Sequence, residues 1–237
     1  MSGIAGLPDG FYDAAALPRK DRLVLCIDGM EKCGKSHLAL SAEGPIAYIN
    51  MDNGLDGVLH KFTGQKPISV VDISSDPKLC KTEWDRVEKI YYNLLANPNV
   101  RTVVWDTTSA AWGLVRMAKY GKLSQVPPQK YVEVNTIFRD LLDDAIRSDK
   151  NIILVERLKK AYVGKDWRGN WERAGFGEIG YHVQMCVRCI KYTDPNGGGS
   201  SFGCTITDSR HNPALEGQTV WHDACDFEML KAMAMAV

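Results

Sequence analysis

Apolar residues in this chain gather into short runs separated by longer stretches with helical spacing. Leu23, Val24, Leu25, Cys26 and Ile27 form a nearly continuous apolar run closed by Asp28-Gly29, the pattern of a strand buried on both faces of a parallel sheet. Runs of the same kind recur at Ile46 to Ile49, Ile68 to Ile73, Thr102 to Trp105 and Ile152 to Val155. Between them, Trp84, Val87, Tyr91, Leu94 and Leu95 follow a helical period, as do Val134, Ile137, Phe138, Leu141, Leu142, Ala145 and Ile146. Strands alternating with amphipathic helices predict right-handed βαβ units and a mostly parallel sheet flanked by helices. After Tyr181 the pattern changes. A strand over Tyr181 to Tyr192 and a second strand-like segment flank Asp194-Pro195-Asn196-Gly197-Gly198-Gly199-Ser200, a flexible hairpin that makes the C-terminal edge of the sheet antiparallel. Residues 21–237 are expected to form one α/β domain. Residues 1–20, rich in Gly, Ala and Pro, are expected to be an extension over it. The C-terminal Phe227, Met229, Leu230, Met233 and Met235 read as a helix closing the core edge, with a methionine-rich partner face as the alternative.

Composition narrows the class. Of 237 residues, 45% are apolar and 24% charged, which excludes a wholly disordered or collagen-like chain. No apolar run is long enough to span a membrane, and Met1 to Lys20 lacks the pattern of a signal peptide, so a soluble cytoplasmic protein with no membrane partner is expected. Lys plus Arg (29) equal Asp plus Glu (29), so a polyanion would have to be met by a local patch and not by the overall field. Seven cysteines in a chain without a leader favour free thiols over a disulfide framework. Cys186 and Cys189 form a C-x-x-C, but on a strand that spacing puts the two side chains on opposite faces, and no second ligand pair accompanies them.

The most informative segment is Gly29-Met30-Glu31-Lys32-Cys33-Gly34-Lys35-Ser36, a full match to G-x-x-x-x-G-K-[ST] between a predicted strand and a predicted helix that opens through His37. Its glycines let backbone N–H groups wrap a phosphate, Lys35 adds a point charge on the β and γ oxygens, and Ser36 supplies a hydroxyl for Mg²⁺. ATP with Mg²⁺ is the expected ligand, bound by Gly29 to His37. The run Thr102 to Trp105 ends in Asp106, the expected second acid on the metal side. Thr107 follows it where many ATPases carry a water-orienting Glu, so the base must come from elsewhere. Glu156, at the end of the Ile152 to Val155 run, is one candidate base or sensor, with an ordinary strand-terminal charge as the plain alternative.

The stretch Ile46 to Asp56 resembles the RecA family, in which the strand after the phosphate-binding helix ends in the carboxylate that activates water. The resemblance gives that role to Asp52, one methylene shorter than the usual Glu. Arg157 to Val163, Trp171 to Phe176 and Asn212 to Gly217 look like segments of the small phage-encoded ATPases with a RecA core, a group that includes ATP-dependent single-strand annealing proteins. The similarity covers roughly Arg22 to Val220. It implies a RecA-like P-loop fold, single-stranded DNA as partner, a single-strand-binding protein as a further partner, assembly into a ring or filament, and residence in a host bacterial cytoplasm. It also makes Arg210, in Asp208-Ser209-Arg210, a candidate finger toward a neighbouring subunit; a plain surface Arg is the alternative.

Between Glu156 and Arg173 lie six basic and three acidic residues, a local net charge of +3 in a neutral chain, interleaved with Tyr162, Trp167 and Trp171. Cations that follow phosphates and aromatic faces that stack bases suit a sequence-tolerant single-strand groove, which makes Lys159, Lys160, Lys165, Trp167, Arg168 and Arg173 the candidate DNA contacts. A solvated charged hairpin is the bland alternative. Lys119 to Lys130 is a second, weaker candidate loop. Three functions remain open on these residues: a DNA-binding ATPase, a small-molecule kinase with a basic lid, and a nucleotide-controlled interaction module with little turnover.

Overall fold

The computed structural model describes residues 20–52, 54–121, 127–195 and 198–236. Ten strands are formed: β1 (Val24–Gly29), β2 (Ile46–Asn50), β3 (Ile68–Asp72), β4 (Thr102–Asp106), β5 (Asn151–Val155), β6 (Leu158–Val163), β7 (Asp166–Arg173), β8 (Met185–Thr193), β9 (Ser200–Ser209) and β10 (Thr219–Trp221). Eight of them build one sheet in the order β10-β9-β8-β1-β5-β4-β2-β3, and β6 and β7 pair with each other as a separate hairpin. From β8 to β3 every pairing is parallel; β8, β9 and β10 run antiparallel, as the sequence pattern predicts.

The helices are α1 (Lys35–Leu40), α2 (Cys80–Ala96), α3 (Thr108–Tyr120), α4 (Pro128–Arg147), α5 (Ile179–His182) and α6 (Phe227–Met235). Strand alternation assigns them to two layers. Val24 and Cys26 of β1 enter a core with α2, α3 and α4, where Trp84, Tyr91, Trp105 and Phe138 pack together. Leu25 and Ile27 enter the opposite core with α1 and α6. Tyr91 sits with its ring 5.1 Å from Trp105, and its buried hydroxyl donates to the Leu141 carbonyl at 3.0 Å. The same alternation sends Cys186 and Cys189 into different cores.

Two sequence expectations shift. The run Ile68 to Ile73 looks as buried as the other strands, yet β3 is the sheet edge and Val70 is exposed. The strand expected from Tyr181 begins only at Met185, because Ile179–His182 form the short α5. The cause is tertiary: Ile179 and Val183 drop into the α2–α4 core while Tyr181 points to solvent, a helical and not a strand alternation. Residues 1–19 of the expected extension lie outside the described residues. Among the described residues no helix is long and apolar enough to cross a membrane.

The order of the central strands fixes the geometry of everything that follows. β5 lies between β1 and β4, with Ile27, Val155 and Asp106 level in register. The C-terminal ends of these strands therefore bring Gly29, Glu156 and Asp106 to one rim of the sheet. At the C-terminus, Asp226 caps α6 by accepting from the Met229 N–H at 2.7 Å, and Phe227, Leu230 and Ala234 are fully buried against the α1 layer. The methionine-rich segment thus closes the core, although Met229 stays exposed. Phe227→Ala is expected to lower stability by about 3–5 kcal/mol in denaturant unfolding, the usual cost of emptying a buried aromatic site; a loss within experimental error would show that α6 is not part of the core.

Candidate functional site

The phosphate loop begins where β1 approaches β8 too closely for any side chain. A Cβ on Gly29 would stand 2.6 Å from Cys33 Sγ and 2.7 Å from the Cys189 carbonyl oxygen. Gly34, at φ 95°, turns the chain through the left-handed region directly into α1. Lys35 Nζ donates to the carbonyls of Gly29 (3.0 Å) and Met30 (2.7 Å), so its ammonium is held across the mouth of its own loop. Cys33 Sγ donates to the Met30 carbonyl at 2.8 Å and is buried, while Met30, Glu31 and Lys32 face solvent. His37, one residue into the helix from Ser36, packs edge-on against Phe62 with ring centroids 4.9 Å apart.

Beside the loop, one carboxylate oxygen gathers two hydroxyls. Ser36 Oγ donates to Asp106 Oδ2 at 2.8 Å, and the buried Tyr48 hydroxyl donates to the same atom. Burial raises the Asp106 pKa, against the pull of those two hydrogen bonds and the Lys35 charge. Opposite this pair the chain is bare: a Cβ on Gly54 would lie 3.3 Å from Ser36 Oγ, 3.6 Å from Asp106 Oδ2 and 2.8 Å from Asp52 Oδ1. A hydroxyl, a carboxylate and a space kept free by glycine form an all-oxygen pocket suited to a hard cation such as Mg²⁺. Sequence reasoning missed Tyr48 and Gly54. The signal for Tyr48 was present, since a tyrosine inside the apolar run Ile46 to Ile49 must bury its hydroxyl against a partner.

The two candidate bases differ in burial. Asp52 keeps its side chain 20% exposed. Its Oδ1 accepts from the Gly54 N–H (3.0 Å), and its Oδ2 pairs with Arg157 (3.2 Å). Glu156 has no exposed surface. Thr108 Oγ1 donates to its Oε1 at 2.5 Å, and Ser109 Oγ lies against its Oε2. Ser109 Oγ also accepts from the Arg157 N–H (2.9 Å) and lies 2.9 Å from the Ala174 carbonyl, so its single proton is shared between that carbonyl and Glu156. Burial pushes the Glu156 pKa up to about 8, against the hydrogen bonds from Ser109 and Thr108 that lower it. At neutral pH a carboxyl of this kind is a hydrogen-bond donor and not a base.

The family model described as AAA domain matches residues 21–185. The chain belongs to the AAA domain family. No curated protein matches it. Membership implies a P-loop ATPase module, which takes a nucleotide with Mg²⁺. The matched part of this AAA domain ends at Met185, where β8 starts, so the antiparallel edge and α6 lie beyond it.

Next to the rim that carries Gly29, Glu156 and Asp106 stands the β6–β7 hairpin, whose legs reach Asp52 and Asp28. Its strands pair Leu158 with Arg173, Lys159 with Glu172 and Tyr162 with Trp167. Lys159, Lys160, Lys165 and Arg168 are solvent-facing, and Trp167 is 49% exposed. Lys160 Nζ lies 4.9 Å from the Trp167 ring centroid, Trp167 and Trp171 meet edge to face at 6.3 Å, and Lys159 pairs with Glu172 at 3.3 Å. The two tryptophans thus meet each other, and Trp167 also meets a lysine of the same hairpin. Arg173 departs from the expected set of DNA contacts. It turns inward, with Nε 2.9 Å from Oδ2 of the fully buried Asp28 and Nη2 3.3 Å from Asp208 Oδ2, because a carboxylate with no exposed surface demands a charged partner. Arg188 of β8 supplies a second, at 2.6 Å from Asp28 Oδ1.

The remaining candidates lie apart from this rim. Arg210 follows Ser209, which is level with Met185 at the start of β8, so it occupies the opposite rim and donates to the Tyr181 carbonyl. Of the second loop, Lys119 pairs with Glu133 at 3.1 Å and Lys130 lies over the Tyr120 ring at 5.0 Å. Lys122 falls outside the described residues.

The raised pKa of Glu156 makes stability depend on pH. Below about pH 4.5 the carboxyl is protonated in both folded and unfolded chains; between 4.5 and about 8 only the unfolded chain loses the proton, so stability falls as pH rises through that window. The accumulated loss is on the order of 5 kcal/mol. Glu156→Gln, which can donate to Ser109 and accept from Thr108, is expected to remove this part of the slope in denaturant titrations at pH 5, 7 and 9. An unchanged slope would mean that Glu156 is ionised in the fold.

Proposed function

We propose that this AAA domain protein is an ATP- and Mg²⁺-dependent ATPase that binds single-stranded DNA and acts in phage DNA recombination by annealing strands, or in replication. The observation that carries the reading is the way the basic, aromatic hairpin is rooted. One leg ends at Arg157, paired with Asp52; the other ends at Arg173, paired with Asp28 immediately before the phosphate loop. A solvated hairpin has no need of two charged roots at a nucleotide site, whereas a polymer-binding element that answers to nucleotide does.

In this reading Lys35 holds the β and γ phosphate oxygens, and Ser36 and Asp106 hold Mg²⁺, with Tyr48 orienting the carboxylate. When bound, the metal neutralises charge on the phosphate oxygens. Asp52 is the base, since Glu156 keeps its proton; each Asp52 oxygen has one partner and a further lone pair with which to accept a proton from water. Glu156, joined to Thr108, Ser109 and through Ser109 to the backbone of Arg157, is a sensor between rim and hairpin. Lys159, Lys160, Lys165, Trp167 and Arg168 meet the DNA. Arg210, remote from the loop of its own chain, acts toward a neighbouring copy in a ring or filament. A single-strand-binding protein is the expected further partner, in the cytoplasm of a bacterial host.

Lys35→Ala is expected to abolish nucleotide binding or turnover with the fold intact, and Asp52→Asn to keep nucleotide binding while lowering hydrolysis about 10²-fold or more. A larger loss in Glu156→Gln than in Asp52→Asn would reverse the assignment of the base. For the polymer, fluorescence anisotropy with labelled single strands separates charge from stacking. Replacing Lys165 and Arg168 together should weaken binding to all sequences and remove about 0.7 per lost phosphate contact from the slope of log affinity against log salt. Trp167→Ala should cost roughly 1–3 kcal/mol with the slope nearly unchanged. Wild-type affinity in both variants at every salt concentration would leave the kinase or interaction-module reading.

A further inference from the structure

The seven cysteines are not scattered. Cys189 and Cys204 face each other across β8 and β9, and the Cβ position of Gly29 lies 3.2 Å from Cys189 Cβ and 2.6 Å from Cys33 Sγ. Cys225, just before α6, places its sulfur 3.0 Å from that of Cys204. A row of thiols therefore runs from the phosphate loop through two strands to the start of the last helix. Only one member of the row reaches solvent: Cys225 is partly exposed, and the other six cysteines of the chain are buried.

We infer that Cys204 and Cys225 are a reversible disulfide site, oxidised by exchange with a small soluble disulfide. The separation of the two sulfurs is about 1 Å more than a bond requires, and the irregular segment ahead of α6 can supply that movement more readily than a central strand can. Contact with the Cys204 thiol lowers the Cys225 pKa, against the effect of burial, while the same contact and burial raise that of Cys204. The exposed sulfur is thus the nucleophile and the buried one resolves. In the first step the Cys225 thiolate attacks one sulfur of the small disulfide and expels its other half as a thiolate. In the second, Cys204 gives up its proton, attacks the Cys225 sulfur and expels the remaining half. Two protein thiols become one disulfide, and one small disulfide becomes two thiols.

The bridge would fasten β9 to the residue pair that holds α6 on the phosphate-binding helix, since the Phe227 N–H donates to Ser41 Oγ at 2.9 Å and Ser41 terminates α1. The site needs neither DNA nor ATP and stands independently of the function proposed above.

Millimolar glutathione disulfide at pH 8, followed by denaturation, thiol counting and peptide mapping, tests it. The wild-type chain should lose two of its seven thiols, yield a peptide pair joining Cys204 to Cys225, and recover both thiols on reduction. Cys225→Ser should form no such bridge. Cys204→Ala should stop at a mixed disulfide carrying one glutathione on Cys225, a result that also shows the variant's exposed thiol to be reactive. Retention of all seven wild-type thiols, or a bridge joining Cys33 to Cys189 or Cys26 to Cys186, would overturn the assignment.

Discussion

Asp28 carries a full negative charge at a point with no exposed surface, one residue before the glycine that opens the phosphate loop. Such a charge persists only where cations meet it directly, and removing one partner of a buried pair typically costs about 3–5 kcal/mol. Arg188 arrives from the neighbouring strand and Arg173 from the end of the hairpin, and Arg173 continues to Thr207 and Asp208 on β9. One carboxylate thereby fixes where β1 ends, how β8 lies beside it, and where the hairpin emerges. The antiparallel edge is fastened to the parallel body by the same group. What the arrangement contributes is position more than net stability, since a well-packed apolar substitute can match a buried ion pair in energy.

The parallel half of the fold was legible in the chain because each strand carries its own record: a short apolar run, a polar stop, then a helical period. The strand, loop and helix over 24–40 and the rim position of Asp106 follow from that record directly. What it does not contain is the choice of partner. Arg173 reads as one more cation in a basic hairpin, and nothing local distinguishes it from Arg168; the difference is Asp28, distant in sequence and brought close by the pairing of β1 with β5, whose end leads into the hairpin. Tyr48 is hidden for a similar reason, since its apolar run declares a buried strand but not the acid waiting across β4. Ile68 to Ile73 misleads in the opposite sense, because edge position is a property of the sheet and not of the strand. In the candidate site, burial was equally out of reach: Asp52 and Glu156 both follow apolar runs, and only the depth of Glu156 tells the two carboxyls apart.

The two roots of the hairpin are unequal, and the inequality has a mechanical meaning. At Arg173 the pairing is buried on the Asp28 side, where water cannot replace the guanidinium. At Arg157 the guanidinium is 51% exposed, and a pair of that kind is typically worth about 0–1 kcal/mol. A load on the hairpin tip would therefore not be shared evenly: the Arg157 side chain would give way while Arg173 keeps its hold on Asp28. Loss of the Arg157 pair alone would uncover Asp52 and leave the Asp28 anchor in place, so the hairpin has one loose side and one fixed one.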